Sequence, residues 1–363
     1  MTTPARRGAR RYASRRAPFA SVLALAGAAG LAACSDEAPL GPGEDSVPTL
    51  TVDASQDWAF VELGETASTV SIPDPTASTE WDIAFFKTAV MLNGGAAGPG
   101  GVVGHCLCVN AQGATDAELQ ELTPESKLDA FLAVTAADVP AEGDAWMSDA
   151  LAPAIDGWYR YDPEAHVVSA ASDRVWKLRA AESEAPVYAK FHVIGIEGAT
   201  QANAGHVTIE FAVQAGKGGA MGEARAAELD LTSGGRVYFD LARGEASDAA
   251  DWDLAFEGYT IRVNGGVSGS GSAGAVLADA SFDAMADASD APDGVYSADA
   301  FGGVFDAHPW YRYDLAGQHQ IWPTYDVYLV KRGDAVYKLQ LIGYYGADGT
   351  PRQVTFRYAR LDR

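Results

Sequence analysis

Along most of the chain the apolar period is two. Val336, Lys338, Gln340 and Ile342 alternate with Tyr337, Leu339, Leu341 and Gly343, and Val354, Phe356 and Tyr358 alternate with Thr355, Arg357 and Ala359. Alternation of this kind, rich in aromatic and β-branched side chains, predicts antiparallel strands with one face on a core. Residues 173–179 and 325–330 read as hairpin partners, the second turning at Arg332-Gly333-Asp334. Helical patterning is scarce: 116–122 and 125–134 predict short helices, and 223–229 predicts one more.

These patterns occur twice. Trp81-Asp82-Ile83-Ala84-Phe85 returns as Trp252-Asp253-Leu254-Ala255-Phe256, and Asn93-Gly94-Gly95 as Asn264-Gly265-Gly266, both at an offset of 171. Trp158-Tyr159-Arg160-Tyr161-Asp162 returns as Trp310-Tyr311-Arg312-Tyr313-Asp314 at 152, and Val187-Tyr188 as Val336-Tyr337 at 149. Ordered blocks with falling offsets are the mark of tandem copies with shorter loops in the second. The copies span 49–214 and 224–363, joined by a Gly-rich linker over 215–223. Trp81, Ile83 and Phe85 are expected on one core-facing strand face, as are Trp252, Leu254 and Phe256; Asp82 and Asp253 are expected to cap or pair locally.

The longest apolar run, 19–33, follows six arginines and ends in Leu31-Ala32-Ala33-Cys34. It is too short to span the bilayer as a lasting helix, which takes roughly 20 apolar residues. Basic segment, short apolar segment and small residues before a cysteine together predict a lipoprotein signal peptide over 1–33, cut before Cys34, which then carries the lipid. Residues 34–48, polar and Pro/Gly-rich, predict a flexible tether. The expected location is the outer membrane or cell surface, held by the lipid.

The whole chain has a net charge of −23, and without its first 33 residues 20 basic residues face 49 acidic ones, a net of −29. Such a surface disfavours nucleic acid as a partner. Beyond Cys34 the cysteines are Cys106 and Cys108, in His105-Cys106-Leu107-Cys108. This cluster fits a soft-metal clip with His105 as third ligand, a short-loop disulfide, or two small residues in a Gly-rich loop.

The Trp-Asp-Ile/Leu-Ala-Phe strand, the Asn-Gly-Gly stretch, the Trp-Tyr-Arg-Tyr-Asp block and the closing strands 336–345 and 354–358 resemble the HmuY family, all-β lipoproteins of bacterial outer surfaces that bind haem. The resemblance covers both copies. It implies two tandem antiparallel β-sandwich-like domains with few short helices, each with a pocket closed by loops. It also implies a role in iron acquisition, with haem passed to an outer-membrane haem receptor. Haem needs axial ligands and polar or basic groups near its propionates. His308, Met285, His319 and His166 are the ligand candidates, with His105, Met147 and His192 further ones in the first copy, and Arg262 and Arg312 are the propionate candidates. His166 and His319 correspond between copies, just after the Trp-Tyr-Arg-Tyr-Asp block, a placement that suggests turn residues. The alternative is a non-catalytic structural or adhesive module that has lost haem.

Gly269-Ser270-Gly271-Ser272-Ala273-Gly274 matches a dinucleotide fingerprint but lacks its βαβ setting, so no nucleotide cofactor is expected. Asp287, Asp290 and Asp293 read as a solvated acidic loop sooner than a Ca²⁺ site. No nucleophile elbow or zinc-protease motif occurs, and no enzymatic activity is expected.

Overall fold

The computed structural model describes residues 47–363 except 112, 142, 144, 183, 362 and 363. The predicted signal peptide, Cys34 and nearly all of the tether lie outside the described residues. Those from Val47 on form one compact unit.

The first copy contributes β1 (Thr49–Asp53), β2 (Ala59–Glu62), β3 (Ser68–Val70), β4 (Ile83–Phe86), β5 (Ala89–Leu92) and β6 (Val103–Cys106). After α1 (Asp116–Gln120) and α2 (Leu128–Ala133) come β7 (Ala150–Ala152), β8 (Tyr159–Asp162), β9 (Val167–Ala170), β10 (Trp176–Arg179), β11 (Tyr188–Glu197) and β12 (His206–Gln214). The second copy runs through β13 (Arg225–Asp230), β14 (Val237–Asp240), β15 (Glu245–Ser247), β16 (Leu254–Glu257), β17 (Thr260–Val263) and β18 (Gly274–Leu277). It closes with β19 (Ala300–Gly302), α3 (Val304–Ala307), β20 (Tyr311–Tyr313), β21 (Ile321–Pro323), β22 (Val327–Arg332), β23 (Ala335–Tyr345) and β24 (Pro351–Leu361). The chain is mainly β, and every pairing between these strands is antiparallel. Among the described residues no helix is long and apolar enough to cross a membrane.

The helix expected over 223–229 is instead β13, laddered onto β12 from Phe211↔Arg225 to His206↔Asp230. Seven residues of helix propensity are a weak prior beside a strand ladder that buries Leu229.

Two modules result. In the first, the sheet β1-β24-β23-β22-β6 packs on β3-β2-β4-β5 around Val61, Ile83, Phe85, Trp310, Leu339 and Phe356. In the second, β13-β12-β11-β10-β18 packs on β15-β14-β16-β17 around Trp176, Phe191, Phe211, Phe239 and Phe256. Each module takes its small sheet and the two edge strands of its large sheet from one sequence copy, and the three central strands from the other. The copies thus exchange C-terminal halves. Seen along the chain, the second module is contiguous from β8 to β18 and is inserted into the first. β7 and β19 pair at the crossing, with Ala150 opposite Gly302 and Ala152 opposite Ala300.

Buried polar side chains repeat across the modules. Asp82 accepts from Leu63 N at 2.7 Å and from Arg332 Nη1 at 3.0 Å, and Asp253 accepts from Leu241 N at 2.8 Å and Ala181 N at 2.7 Å. In both cases the second donor comes from the other copy. Asn93 donates to Trp81 O and accepts from Gly100 N; Asn264 donates to Trp252 O and accepts from Gly271 N. This last bond uses the glycine-rich stretch 269–274 as a structural loop. At the crossing, Asp149 Oδ2 accepts from Leu92 N at 2.9 Å, and Asp299 Oδ2 from Val263 N at 3.1 Å. Burial pushes the Asp149 carboxyl up to about 7, with Asp306 adding to the rise, and desolvation raises Asp299 as well.

Two expectations about faces change. The chain bends at Asp82, so Trp81 leaves the face of Ile83 and Phe85 and packs with Phe60, Ala84 and Met91. The central strand β23 is buried on both faces from Val336 to Leu341, because the loop carrying α2 covers its outer side with Phe131 and Val134. Lys338 on that covered face donates to Phe131 O at 2.9 Å and Val134 O at 2.8 Å, and burial lowers its pKa. Lys190 makes the equivalent hydrogen bonds in the second module, donating to Phe282 O at 2.7 Å and Met285 O at 3.2 Å.

Candidate functional site

Each module carries a groove at the same place, between three turns. One is the hairpin that follows the Trp-Tyr-Arg-Tyr-Asp block, one is the turn of the small sheet, and one is the turn of the long hairpin. The block builds the groove residue by residue. Its tryptophan clamps the first two turns together: Trp310 Nε1 donates to Thr88 O at 2.9 Å, and Trp158 Nε1 donates to Tyr259 O at 3.2 Å. Its first tyrosine, Tyr311 or Tyr159, lines the groove, and strand alternation puts the second, Tyr313 or Tyr161, on the same face. The aspartate caps the following turn, Asp314 Oδ1 accepting from His319 N at 2.6 Å and Asp162 Oδ1 from Glu164 N at 2.8 Å.

The histidines predicted from sequence stand at that turn, both with left-handed backbone, His166 at φ 52° and His319 at φ 57°. Tyr313 Oη lies 2.8 Å from His319 Nδ1 and Tyr161 Oη lies 2.8 Å from His166 Nδ1. A tyrosine held at Nδ1 fixes the ring and leaves Nε2 for a ligand, as a partner behind a metal-bound histidine does. The His319 side chain is 79% exposed, so the ring is open to an incoming group.

The grooves differ in charge. The first, about 690 Å³, is lined by Tyr311, Tyr313, Tyr344 and Tyr345 together with the cations Lys87 and Arg352. Neither cation is marked in the sequence, since both lie away from His319 along the chain, on two other turns. The second, about 660 Å³, has Tyr159, Tyr161 and Tyr259 with Thr200 and Gln201, and no Lys or Arg in its lining. Lys87 (φ 54°) and Arg352 (φ 69°) join His319 among the seven described non-glycine residues with positive φ. Sparsely populated backbone of this kind gathers at binding sites.

The other candidates lie elsewhere. Met285 is buried in a core with Val175, Phe282 and Tyr296. His192 stacks on Phe282 and is held by Ser172 O and Glu210 Oε2, each at 2.8 Å. His105 Nδ1 sits 2.8 Å from Ala145 O, beside Trp146. Met147 pairs with Gly104 across an isolated bridge. Arg262 is 3.6 Å from Glu257, and Arg312 projects from β20 on the face opposite Tyr311 and Tyr313. Asp287 is capped by Ser289 and Gln214, while Asp290 and Asp293 pair with Lys177 and Lys217, so these acids do not converge. Cys106 and Cys108 are joined as a disulfide, and His308 lies next to it in place of His105.

The HmuY family model matches two segments, 54–211 and 234–319, well over half of the chain. The chain belongs to the HmuY family. The two matched segments correspond to the two sequence copies, and both contain the Trp-Tyr-Arg-Tyr-Asp block and its histidine. A comparison with curated proteins returned no match. Among solved structures, a Bacteroides fragilis NCTC 9343 protein described as a lipoprotein is 19% identical, covering 45% of this chain and 93% of its own, at a TM-score of 0.16. At that score the likeness carries no inference. For the HmuY-family fold seen here, the paired grooves are the feature that both copies build from the same residues.

Proposed function

We propose that this HmuY-family protein binds haem in the groove of its first module, with His319 as the axial ligand and Lys87 and Arg352 meeting the propionates. The observation that carries the reading is the tyrosine-held histidine facing an aromatic groove that also gathers two cations on a strongly acidic protein. Its volume, about 690 Å³, falls in the range of small-ligand pockets, ~300–1,000 Å³. Four tyrosines supply flat apolar area with polar tips at the rim. Bound haem would supply an iron open to histidine, and the chain's part is to orient that histidine, stack the ring and neutralise its carboxylates. The second groove, lacking cations, is the weaker haem site. Exported and tethered at Cys34 on the outer membrane or cell surface, the protein would hold haem for an outer-membrane receptor, a binding role without catalysis.

Titrating hemin into the purified chain tests this. The reading expects a Soret band that sharpens and shifts to saturation at one equivalent. A spectrum that stays that of free hemin at micromolar concentrations sinks it and favours a structural or adhesive surface module.

A further inference from the structure

A second constellation lies outside the grooves. Cys106 ends β6, Cys108 follows in a left-handed conformation at φ 47°, and His308 caps the C-terminus of α3, about 200 positions further along the chain. Their ligand atoms all lie within 4.8 Å of one another. Tyr328 of β22 explains the convergence. It pairs with Cys106 across the sheet, and its hydroxyl donates to His308 O at 2.7 Å. Among the described residues no hydrogen bond engages the exposed His308 ring.

The second module is an internal control. Trp176 stands where Tyr328 does, and the matching register places Leu277 at the position of Cys106 and Asp279 at that of Cys108. Asp156 takes the place of His308 in the sequence alignment of the copies. The same scaffold therefore folds with none of the three soft ligands, so the fold does not call for them.

We propose that Cys106, Cys108 and His308 form a redox-gated soft-metal site, closed as the disulfide and able to hold Cu(I) once reduced. A dithiol reductant gives two electrons and two protons to the bridge, the S–S bond breaks, and the reductant becomes its own disulfide. Cu(I) then displaces the two thiol protons, and the imidazole of His308 completes a three-coordinate S₂N set. Two thiolates and one imidazole suit Cu(I); a disulfide oxidant that takes two electrons from the pair, and is itself reduced to a dithiol, would re-form the S–S bond and release the ion.

The test uses the full purified chain with Cu(I), supplied as its acetonitrile complex, in competition with a chromophoric Cu(I) chelator. The oxidised chain should retain no copper. After anaerobic reduction and removal of the reductant it should retain one equivalent, with two sulfur and one nitrogen scatterers by X-ray absorption. His308→Ala should weaken retention by about tenfold or more, on the scale at which a partner merely supporting a metal ligand costs ~10–100-fold. His105→Ala, whose ring is turned to Ala145 O, should change nothing. Circular dichroism of the reduced chain reports whether the fold survives reduction. The proposal is overturned if the reduced chain unfolds, if it stays folded and retains no Cu(I), or if His308→Ala binds as tightly as the parent.

Discussion

Replacing Asp149 with Asn removes a buried carboxyl from the point where the chain crosses between modules. Asp149 is 3% exposed, and one of its carboxyl oxygens accepts from Leu92 N at 2.9 Å. Asn keeps an acceptor for that bond, so the variant changes the titration and little else. Desolvation, helped by Asp306, lifts the folded-state value to about 7 from an ordinary 3.8. Between those values the folded chain binds more protons than the unfolded one, so stability falls as pH rises through this window. At ~1.4 kcal/mol per unit, the carboxyl costs about 1.5 kcal/mol at pH 5 and about 4 kcal/mol once pH exceeds 7. Asn escapes that cost. The difference between variant and parent in urea unfolding should therefore shift in favour of the variant by ~2.5 kcal/mol from pH 5 to pH 8. Asp253, raised to about 6, and Asp299 titrate in both proteins and cancel in the comparison. A difference that is equal at the two pH values, or that moves against the variant at pH 8, would rule out a destabilising buried charge at Asp149.

Other consequences can be checked alongside. Lys338→Met keeps the aliphatic stem but leaves the carbonyls of Phe131 and Val134 without their donor; it should cost ~2–4 kcal/mol in denaturant unfolding and speed proteolysis within 107–145. Asn93→Ala and Asn264→Ala break equivalent loop clamps and should each cost ~2–3 kcal/mol, with similar values supporting the equivalence of the modules. A chain of residues 153–302 should fold as a monomer by circular dichroism and light scattering. One of residues 49–214, with β1 and β6 lacking their partners in β24 and β22, should self-associate or aggregate.

Much of the fold is legible in the sequence because strand alternation and the repeat are local signals. The β22–β23 hairpin turns at Gly333, at φ 57°, as its residues predict, and α1 and α2 fall within their predicted spans. The exchange of halves is not legible. β24 of the second copy and β12 of the first present similar edges, so nothing in composition says which of them β1 will join. β13 is misread for a related reason, since its partner decides its conformation. In the site, His166 and His319 stand out because they repeat after a repeated block. Lys87 and Arg352 carry no such mark, as they come from two other turns, and only the fold brings them to the same groove. His308 joins the cysteines instead of His105 because β22 carries Tyr328 to both.

In the proposed function the first groove holds haem through His319. The most direct measurement compares hemin titrations of His319→Ala, His166→Ala and the parent chain by Soret absorbance. His319→Ala is expected to lose the axial-histidine spectrum and to bind at least tenfold more weakly, while His166→Ala keeps the parent's spectrum and affinity. An unchanged spectrum and affinity in His319→Ala would contradict that function.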